Sequence, residues 1–373
     1  MTDPRGVIDD LRSFVDQEVR PRAAEFDRNE VIPRDFICSM AQRGYLGAPF
    51  PPEFGGLGLD PTTYGQATAE VARGCSSVRT LLTVHTSLVG ETLVRWGTPQ
   101  QKARFLPAMA SGELLAAFAL SEPDVGSDAK AVTTTYSRRG GGFVLNGRKK
   151  WISFGAAADI LLVLASQGGR TTTFLVDAAK TIRTPIRGML GVRGSQIAAI
   201  DFADVEVSPD EVVGNEGQGF EYVVQTALDL GRASVAWGAL GVAQEALDVM
   251  MRYAHTRRQF GEPIGSFQLI KGILADAVTD VHAARALCER MGARRADRDL
   301  DATIETNICK YFASRVAARV TSAAVQVLGA NGCSGDHPVE RMYRDAKVLE
   351  IIEGSSQIQQ LIIAKFGLNR YGR

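Results

Sequence analysis

The sequence predicts an α+β protein with helices at both ends and strands between them. The expected parts are an N-terminal helical domain (residues 1–115), a middle antiparallel β-barrel or sandwich (116–219) and a C-terminal four-helix bundle (220–373). Three observations carry this. Apolar residues recur at helical spacing near the start, as at Val7, Leu11, Phe14, Val15 and Val19. The period moves towards two between Ala116 and Asn215. Helical spacing resumes at Phe220 and runs to the end of the chain, with few loops, which suits a bundle.

Each element has its own signal. Pro51, Pro52 and the glycines of EFGGLGLD (Glu53–Asp60) break the first region into helical segments. Helix formers return in YGQATAEVARG (Tyr64–Gly74) and in the long run from Ser77 to Trp96. In the middle, Ile160–Ser166, Thr171–Asp177 and Ala199–Val207 are short, β-rich and separated by turn residues. Gly140, Gly141 and Gly142, and the Asn146-Gly147 pair, fit hairpin connections. Short strands without long helices between them indicate a barrel or sandwich, not a Rossmann unit. Pro263 and Pro338 are the main interruptions of the last region.

Composition removes several classes of function. The 373 residues carry 42 Lys+Arg against 42 Asp+Glu, so no net field attracts nucleic acid or an anionic membrane. Nothing approaches 18 consecutive apolar residues, as a spanning helix needs. The start mixes acids and bases where a secretory signal needs an apolar stretch, so a soluble cytoplasmic protein is expected. Cys38, Cys75, Cys288, Cys309 and Cys333 are scattered singly, and the four histidines are equally dispersed. Neither a disulfide framework nor a metal site is expected from such spacing.

The tail YRDAKVLEIIEGSSQIQQLIIAK (Tyr343–Lys365) is the most informative segment. A helix is expected to end near Glu350 to Glu353, Gly354-Ser355-Ser356 to turn, and a second helix to follow. Ser355 or Ser356 would cap it and leave N–H groups able to receive an anion. Glu353, among Ile351, Ile352 and a glycine, is either a desolvated carboxylate with a raised pKa or a solvated acid at a helix end.

This tail resembles the C-terminal signature of the acyl-CoA dehydrogenase family, and the resemblance covers essentially the whole chain. EFGGLGLD, SEPDVGSDA (Ser121–Ala129), KKWIS (Lys149–Ser153), GVRGS (Gly191–Ser195), RRQFG (Arg257–Gly261) and QVLGANG (Gln326–Gly332) occur in the family's order. It implies the acyl-CoA dehydrogenase fold and a tightly bound FAD between the β domain and the C-terminal helices. Phe118 to Ser127, including Leu120, Ser121, Gly126 and Ser127, matches the loop along the flavin; Trp151, Ile152 and Ser153 match the strand that contacts its ring. Ser153 stands where the family usually has Thr, so a hydroxyl remains. Trp151 is equally readable as a core aromatic.

The resemblance also implies a homo-oligomer, a dimer or a dimer of dimers. Arg257, Phe260 and Gln268 match residues that reach a neighbour's FAD, and Gln326, Val327, Gly329 and Ala330 match a loop at its adenine half. Ser355 and Gln357 belong to the same cofactor set. Glu353 matches the catalytic base of an acyl thioester dehydrogenase: it would remove the α-proton while the β-hydrogen leaves as hydride to flavin N5. Such a proton is too weakly acidic for water, so the site needs a placed carboxylate and an oxyanion site, to which the Glu353 N–H would contribute. Glu350 lies outside the motif. Isovaleryl- and long-chain-type relatives carry the base on an earlier helix, directly before an arginine; here that place is Gly231, which cannot serve.

Substrate contacts are carried over in the same way. Ser127, Gly354, Asp229 and Arg232 match residues along the carrier arm and the active-site wall, although Asp229 and Arg232 also fit an exposed i,i+3 ion pair. The segment Ser76–Leu93 looks like the glutaryl-CoA dehydrogenase version, with Arg79 and Thr83 one turn apart and able to face one cavity. That favours a short acyl group bearing a carboxylate or hydroxyls; the alternative is an arginine facing solvent or a backbone loop. The carrier is CoA or an acyl carrier protein, the latter as in relatives that make hydroxymalonyl or methoxymalonyl units for polyketides. The electron acceptor is electron-transferring flavoprotein or a similar protein. Gln360 replaces a common Arg, and Asp124-Val125 replace a common Gly-Ala pair. Oxygen-using relatives of the fold replace the base by aspartate or lack it, so Glu353 argues against an oxidase or monooxygenase.

Overall fold

The computed structural model describes residues 4–372. The N-terminal layer begins with α1 (Pro4–Phe14), which continues through a π-helical turn (Val15–Val19) into α2 (Arg20–Asn29), and then α3 (Arg34–Gln42). After the Pro/Gly-rich loop come α4 (Pro61–Gly74) and one unbroken helical run: α5 (Ser76–Leu81), a π-helical stretch (Leu82–Glu91) and α6 (Thr92–Trp96). Asp60 caps α4 by accepting from the N–H groups of Thr62 and Thr63. α7 (Pro99–Ala110) starts in a capping box made by Thr98 and Gln101.

The middle layer contains β1 (Ala116–Ala119), β2 (Thr135–Arg139), β3 (Gly142–Ile152), β4 (Ile160–Gln167), β5 (Arg170–Asp177), β6 (Ile182–Pro185), β7 (Ala198–Val207) and β8 (Val212–Val213). They form one sheet in the order β6-β7-β3-β2-β4-β5-β8, with β1 beside β4. The sheet is mixed where an antiparallel one was expected: β1 runs parallel to β4, Ala116 to Ala119 against Ile160 to Val163, and β2 touches β4 in parallel at Thr135 and Ser166. The β2–β3 hairpin is inserted between β1 and β4, which leaves them pointing the same way. Gly140 and Gly141, both at positive φ, close that hairpin as expected. Asn146-Gly147 does not turn the chain; it sits inside β3, where the pairing with β7 slips between Leu145 and Gly147. A second slip between Lys149 and Ile152 re-aims Trp151.

A bundle follows: α8 (Gln225–Thr256), a small hairpin of β9 (Arg258–Gln259) and β10 (Glu262–Pro263), α9 (Gln268–Ala296), α10 (Ala302–Leu328), α11 (Val339–Leu349) and α12 (Ser356–Tyr371). The N-terminal helices and the inner sheet share one apolar core, and α8 to α11 build a second one. None of the described helices is long and apolar enough to cross a membrane.

The loop after β6 locks these layers together. The Val192 N–H donates to Asp345 Oδ1 on α11 at 2.6 Å, and the Gly194 N–H to Ser77 Oγ at 3.2 Å. Arg344 reaches back to Asp27 on α2 at 2.7 Å. These contacts tie the N-terminal helices and the loop after β6 to α11.

Candidate active site

Glu353 lies in the turn between α11 and α12, at φ +55°, with Gly354 following at φ +89°. The left-handed region suits the glycine but strains a glutamate, so the surroundings must hold it. The Glu353 carbonyl accepts from Arg232 Nε at 3.0 Å and Gln359 Nε2 at 3.3 Å. The Gly354 carbonyl accepts from Lys310 Nζ at 2.8 Å and Gln359 Nε2 at 3.1 Å. No protein acceptor among the described residues takes the N–H of Glu353 or of Gly354. Desolvation pushes the Glu353 carboxyl up to about 7, and the cations Arg232, Lys310 and Arg79 offset only part of that.

Space for this carboxyl comes from α8. A Cβ on Gly231 would lie 3.0 Å from Glu353 Oε2 and 2.6 Å from a methyl of Leu88. Two turns along, a Cβ on Gly238 would lie 2.7 Å from Arg79 Cδ and 2.8 Å from its Nε. One face of α8 is thus hollowed at both places. Arg79 is 0% exposed. Its Nη1 donates to Thr83 Oγ1 at 2.9 Å and its Nη2 reaches Ser76 Oγ at 3.5 Å, while Nε has no partner. Thr83 Oγ1 in turn lies 2.7 Å from Ser234 Oγ on α8. No carboxylate among the described residues pairs with the Arg79 guanidinium, and burial lowers its pKa to about 10. An unpaired buried cation is costly. It becomes favourable when a ligand brings an anionic or polar group to it.

A second group of residues lies where β1 leaves the sheet. Lys149 of β3 is 0% exposed; its Nζ donates to Glu122 Oε1 at 2.8 Å and to the Leu120 carbonyl at 3.1 Å. Glu122 also accepts from the N–H groups of Thr133 and Thr134 at 2.6 and 2.9 Å and from the Thr133 hydroxyl. The Lys150 N–H donates to the Ser121 carbonyl at 2.9 Å. Segment 120–122 is therefore fastened to the strand that carries Trp151 and is followed by Ser153. Trp151, at φ +65° and 48% exposed, turns its ring outward, with the Lys150 ammonium 4.5 Å from the ring centre. That excludes its reading as a core aromatic.

These residues suit a flat, acceptor-rich cofactor such as FAD. The outward indole offers a stacking surface, and Ser127 and Ser153 offer hydroxyls. The N–H groups of Gly126 and Ser127 have no protein partner among the described residues, and a Cβ on Gly126 would meet nothing within 4 Å. Phe118 and Leu120 are 8% exposed and Ile152 is 2% exposed, so these three support the wall from inside more than they form its surface.

Other marked residues fall elsewhere. Arg257, Phe260 and Gln268 lie after the end of α8 and Gln326, Gly329 and Ala330 at the end of α10, two regions joined by the Asn331 amide donating to the Tyr253 hydroxyl at 2.8 Å. Arg257 is 26 residues from Gly231 along α8, or about 39 Å at 1.5 Å per residue. Arg257 thus lies far along α8 from the helix position that faces Glu353. Phe260 is 95% exposed. The side chain of Val327 packs into the bundle core. Ser355 does not cap α12 through its hydroxyl; its carbonyl receives the Gln359 N–H at 3.0 Å. Gln357 is exposed, and the buried glutamine of this helix is Gln359. Gln360, where an arginine is common, donates to the Tyr311 hydroxyl at 3.0 Å.

Asp229 and Arg232 do not form the surface pair that their spacing allows. Asp229 pairs with Arg295 at 2.7 Å and Arg232 turns to Glu353. Asp229 and Ser234 border a cavity of 600 Å³ that Tyr64, Glu91, Trp237 and Arg295 also line. Lys310, Lys149, Glu122 and Ser234 carried no usable spacing signal, because each meets its partner through a long-range contact, whereas Gln359 bonds the turn only five and six residues before it. Cys288 and Cys309 likewise looked isolated, yet their sulfurs lie 3.4 Å apart between α9 and α10.

Comparison with known proteins gives matches over nearly the whole chain. The acyl-CoA dehydrogenase N-terminal, middle and C-terminal domains match residues 3–113, 117–205 and 217–368. The short-chain specific acyl-CoA dehydrogenase, mitochondrial, of Homo sapiens is 37% identical over 98% of this chain and 90% of its own length. The glutaryl-coenzyme A dehydrogenase–glutaryl-CoA complex superposes with a TM-score of 0.94 at 31% identity, covering 100% of this chain and 96% of that one. FkbI, described as acting in biosynthesis of a methoxymalonyl extender unit of a polyketide, gives a TM-score of 0.88 at 33% identity over 97% and 99% of the two chains.

Proposed function

Because this chain belongs to the acyl-CoA dehydrogenase family, we propose that it oxidises a short, polar acyl thioester across its Cα–Cβ bond, with Glu353 as the base. It is an oxidoreductase that uses a flavin, and the fit of Trp151, Ser153, Gly126 and Ser127 supports FAD. FAD, when bound, supplies the acceptor for the hydride that leaves the β-carbon.

The chain's own residues do the rest. The Glu353 carboxyl stands on a turn held from three sides, and Gly231 leaves it open space. With its pKa near 7 it is basic enough to take the α-proton and still ionised in a useful fraction at neutral pH. The free N–H of Glu353 is available to the thioester oxygen as negative charge develops there. Asp229, Arg232, Ser127 and Gly354 line the way to the carrier arm. Arg79, Thr83 and Ser234 form a buried polar end to the acyl site. The partnerless Nε of buried Arg79 is the observation that carries the choice of a carboxylate- or hydroxyl-bearing acyl group over an alkyl chain.

The same polar end supports a second reading, an acyl unit tethered to a carrier protein for polyketide extension, which the likeness to FkbI favours. The exposed Phe260 and the distance of Arg257 along α8 from Gly231, which faces Glu353, support a homo-oligomer that shares its flavin sites. Electron-transferring flavoprotein is the proposed acceptor. The test is anaerobic bleaching of the flavin by butyryl, glutaryl and hydroxylated three-carbon thioesters, each offered on CoA and on a carrier protein. Bleaching by a polar acyl group, then fast reoxidation by electron-transferring flavoprotein but slow reoxidation by air, is the expected result. Rapid peroxide formation, or bleaching by alkyl chains alone, would sink it.

A further inference from the structure

We propose that Lys310 and Gln359 are positioning residues, which with Arg232 hold the Glu353–Gly354 turn in its left-handed form and keep the Glu353 carboxyl aimed into the space above Gly231. This rests on the reading of Glu353 as the base. A glutamate at φ +55° persists only where its neighbours over-determine it. Here three donors from three helices, α8, α10 and α12, grip the two carbonyls of the turn.

The composition of that grip points past simple stability. Gln359 is 0% exposed and leaves its Oε1 without a partner, a cost incurred to place Nε2 between two carbonyls. Lys310 is also 0% exposed, and the partners of its ammonium are the Gly354 carbonyl and, at 3.5 Å, the Glu350 carbonyl. A methionine would fill much the same space without desolvating a charge. What lysine adds is a fixed positive charge beneath the turn. The charged groups facing Glu353 are Lys310 from α10, Arg232 from α8 and Arg79 from α5. Glu350 faces Lys310 from just after α11, and Asp229 flanks Arg232. Burial lowers Lys310 to about 8, so it is mostly a cation around the Glu353 midpoint near 7.

The two donors thus differ in a way that an experiment can separate. Holoenzyme carrying Lys310→Met, Lys310→Arg or Gln359→Met is mixed anaerobically with saturating butyryl-CoA, and the rate of flavin bleaching is followed against pH. Losing the Lys310 charge disfavours ionised Glu353, so in Lys310→Met the midpoint moves up by about one pH unit, and the rate below it falls about tenfold. Lys310→Arg keeps the midpoint of the parent. Gln359→Met lowers the plateau rate and leaves the midpoint in place. A Lys310→Met profile lowered evenly at every pH would reduce the residue to structural support and overturn the proposal. If that variant fails to fold, an unchanged plateau in Gln359→Met overturns it instead. Failure of the underlying reading looks different: Glu353→Gln would then bleach at the parent rate.

Discussion

Glu122 and Glu353 are both withdrawn from water, and desolvation raises the pKa of each, yet they finish far apart. Glu122 meets the Lys149 ammonium, two backbone N–H groups and a hydroxyl, which outweigh desolvation and hold it well below the ordinary carboxylate range. Glu353 has cations near it, but the hydrogen bonds around its turn go to the carbonyls, not to the carboxylate. Its carboxyl is left at about 7. The fully satisfied acid fastens a loop; the unsatisfied one is free to take a proton. Burial sets neither role, since the partners decide it.

The largest effect should come from breaking this contrast at its reactive end. Glu353→Gln keeps the turn and the flavin but loses about 10²–10⁴-fold or more in the rate of flavin bleaching. Glu122→Gln, the same change in the other acid, should leave the chemical step in any folded, flavin-loaded molecule near the parent value. A comparable loss in both variants would abolish the distinction. Next in size, Lys149→Met strands a buried carboxylate and should cost about 3–5 kcal/mol of stability, read as a fall in Tm with weaker retention of FAD. Adding Glu122→Leu should recover most of that, because no unpaired charge remains.

Arg79→Ala should weaken use of glutaryl or hydroxylated thioesters by about 10–100-fold, as a desolvated charged contact is worth roughly 1.5–3 kcal/mol, while butyryl thioesters are spared. Equal losses on both, measured as kcat/KM, would remove Arg79 from the acyl site. The pH dependences should differ in sign and place. Because the Glu353 pKa is raised and the base works ionised, bleaching falls as pH drops below about 7. Because the Glu122 pKa is depressed, its contribution to stability is present above the unfolded value near 4.5 and is lost only as pH falls below it. The smallest effect is expected for Gly231→Ala, whose methyl would press on a movable Leu88 methyl and the end of the Glu353 side chain. A several-fold slower reduction with unchanged Tm would fit that contact.

Much of this was legible in the chain itself. The α–β–α order follows from apolar periods of 3.6 and 2, which are local properties of sequence. Strand positions such as Ile160–Gln167 and the turn after Leu349 could be read within a residue or two. Residue type and motif singled out Glu353, Trp151 and Arg79, and the structure gives each an unusual setting: a left-handed turn, an outward ring and full burial. The site was illegible where function depends on a partner far along the chain. Lys149 and Glu122 are 27 residues apart, and Arg232 and Glu353 are 121 apart. The spacing of Asp229 and Arg232 even suggested a pair that does not form, because Arg295 and the Glu353 carbonyl compete better.

Sequence alone thus determined the classes of element, their order and the chemical inventory, since period, turn residues and side-chain type need no tertiary context. Tertiary structure decided which acid has its pKa raised and which has it depressed, which buried cation is left without a counter-charge, and which glycines make room for these side chains. Those properties arise from desolvation and close approach between segments that only the folded chain brings together.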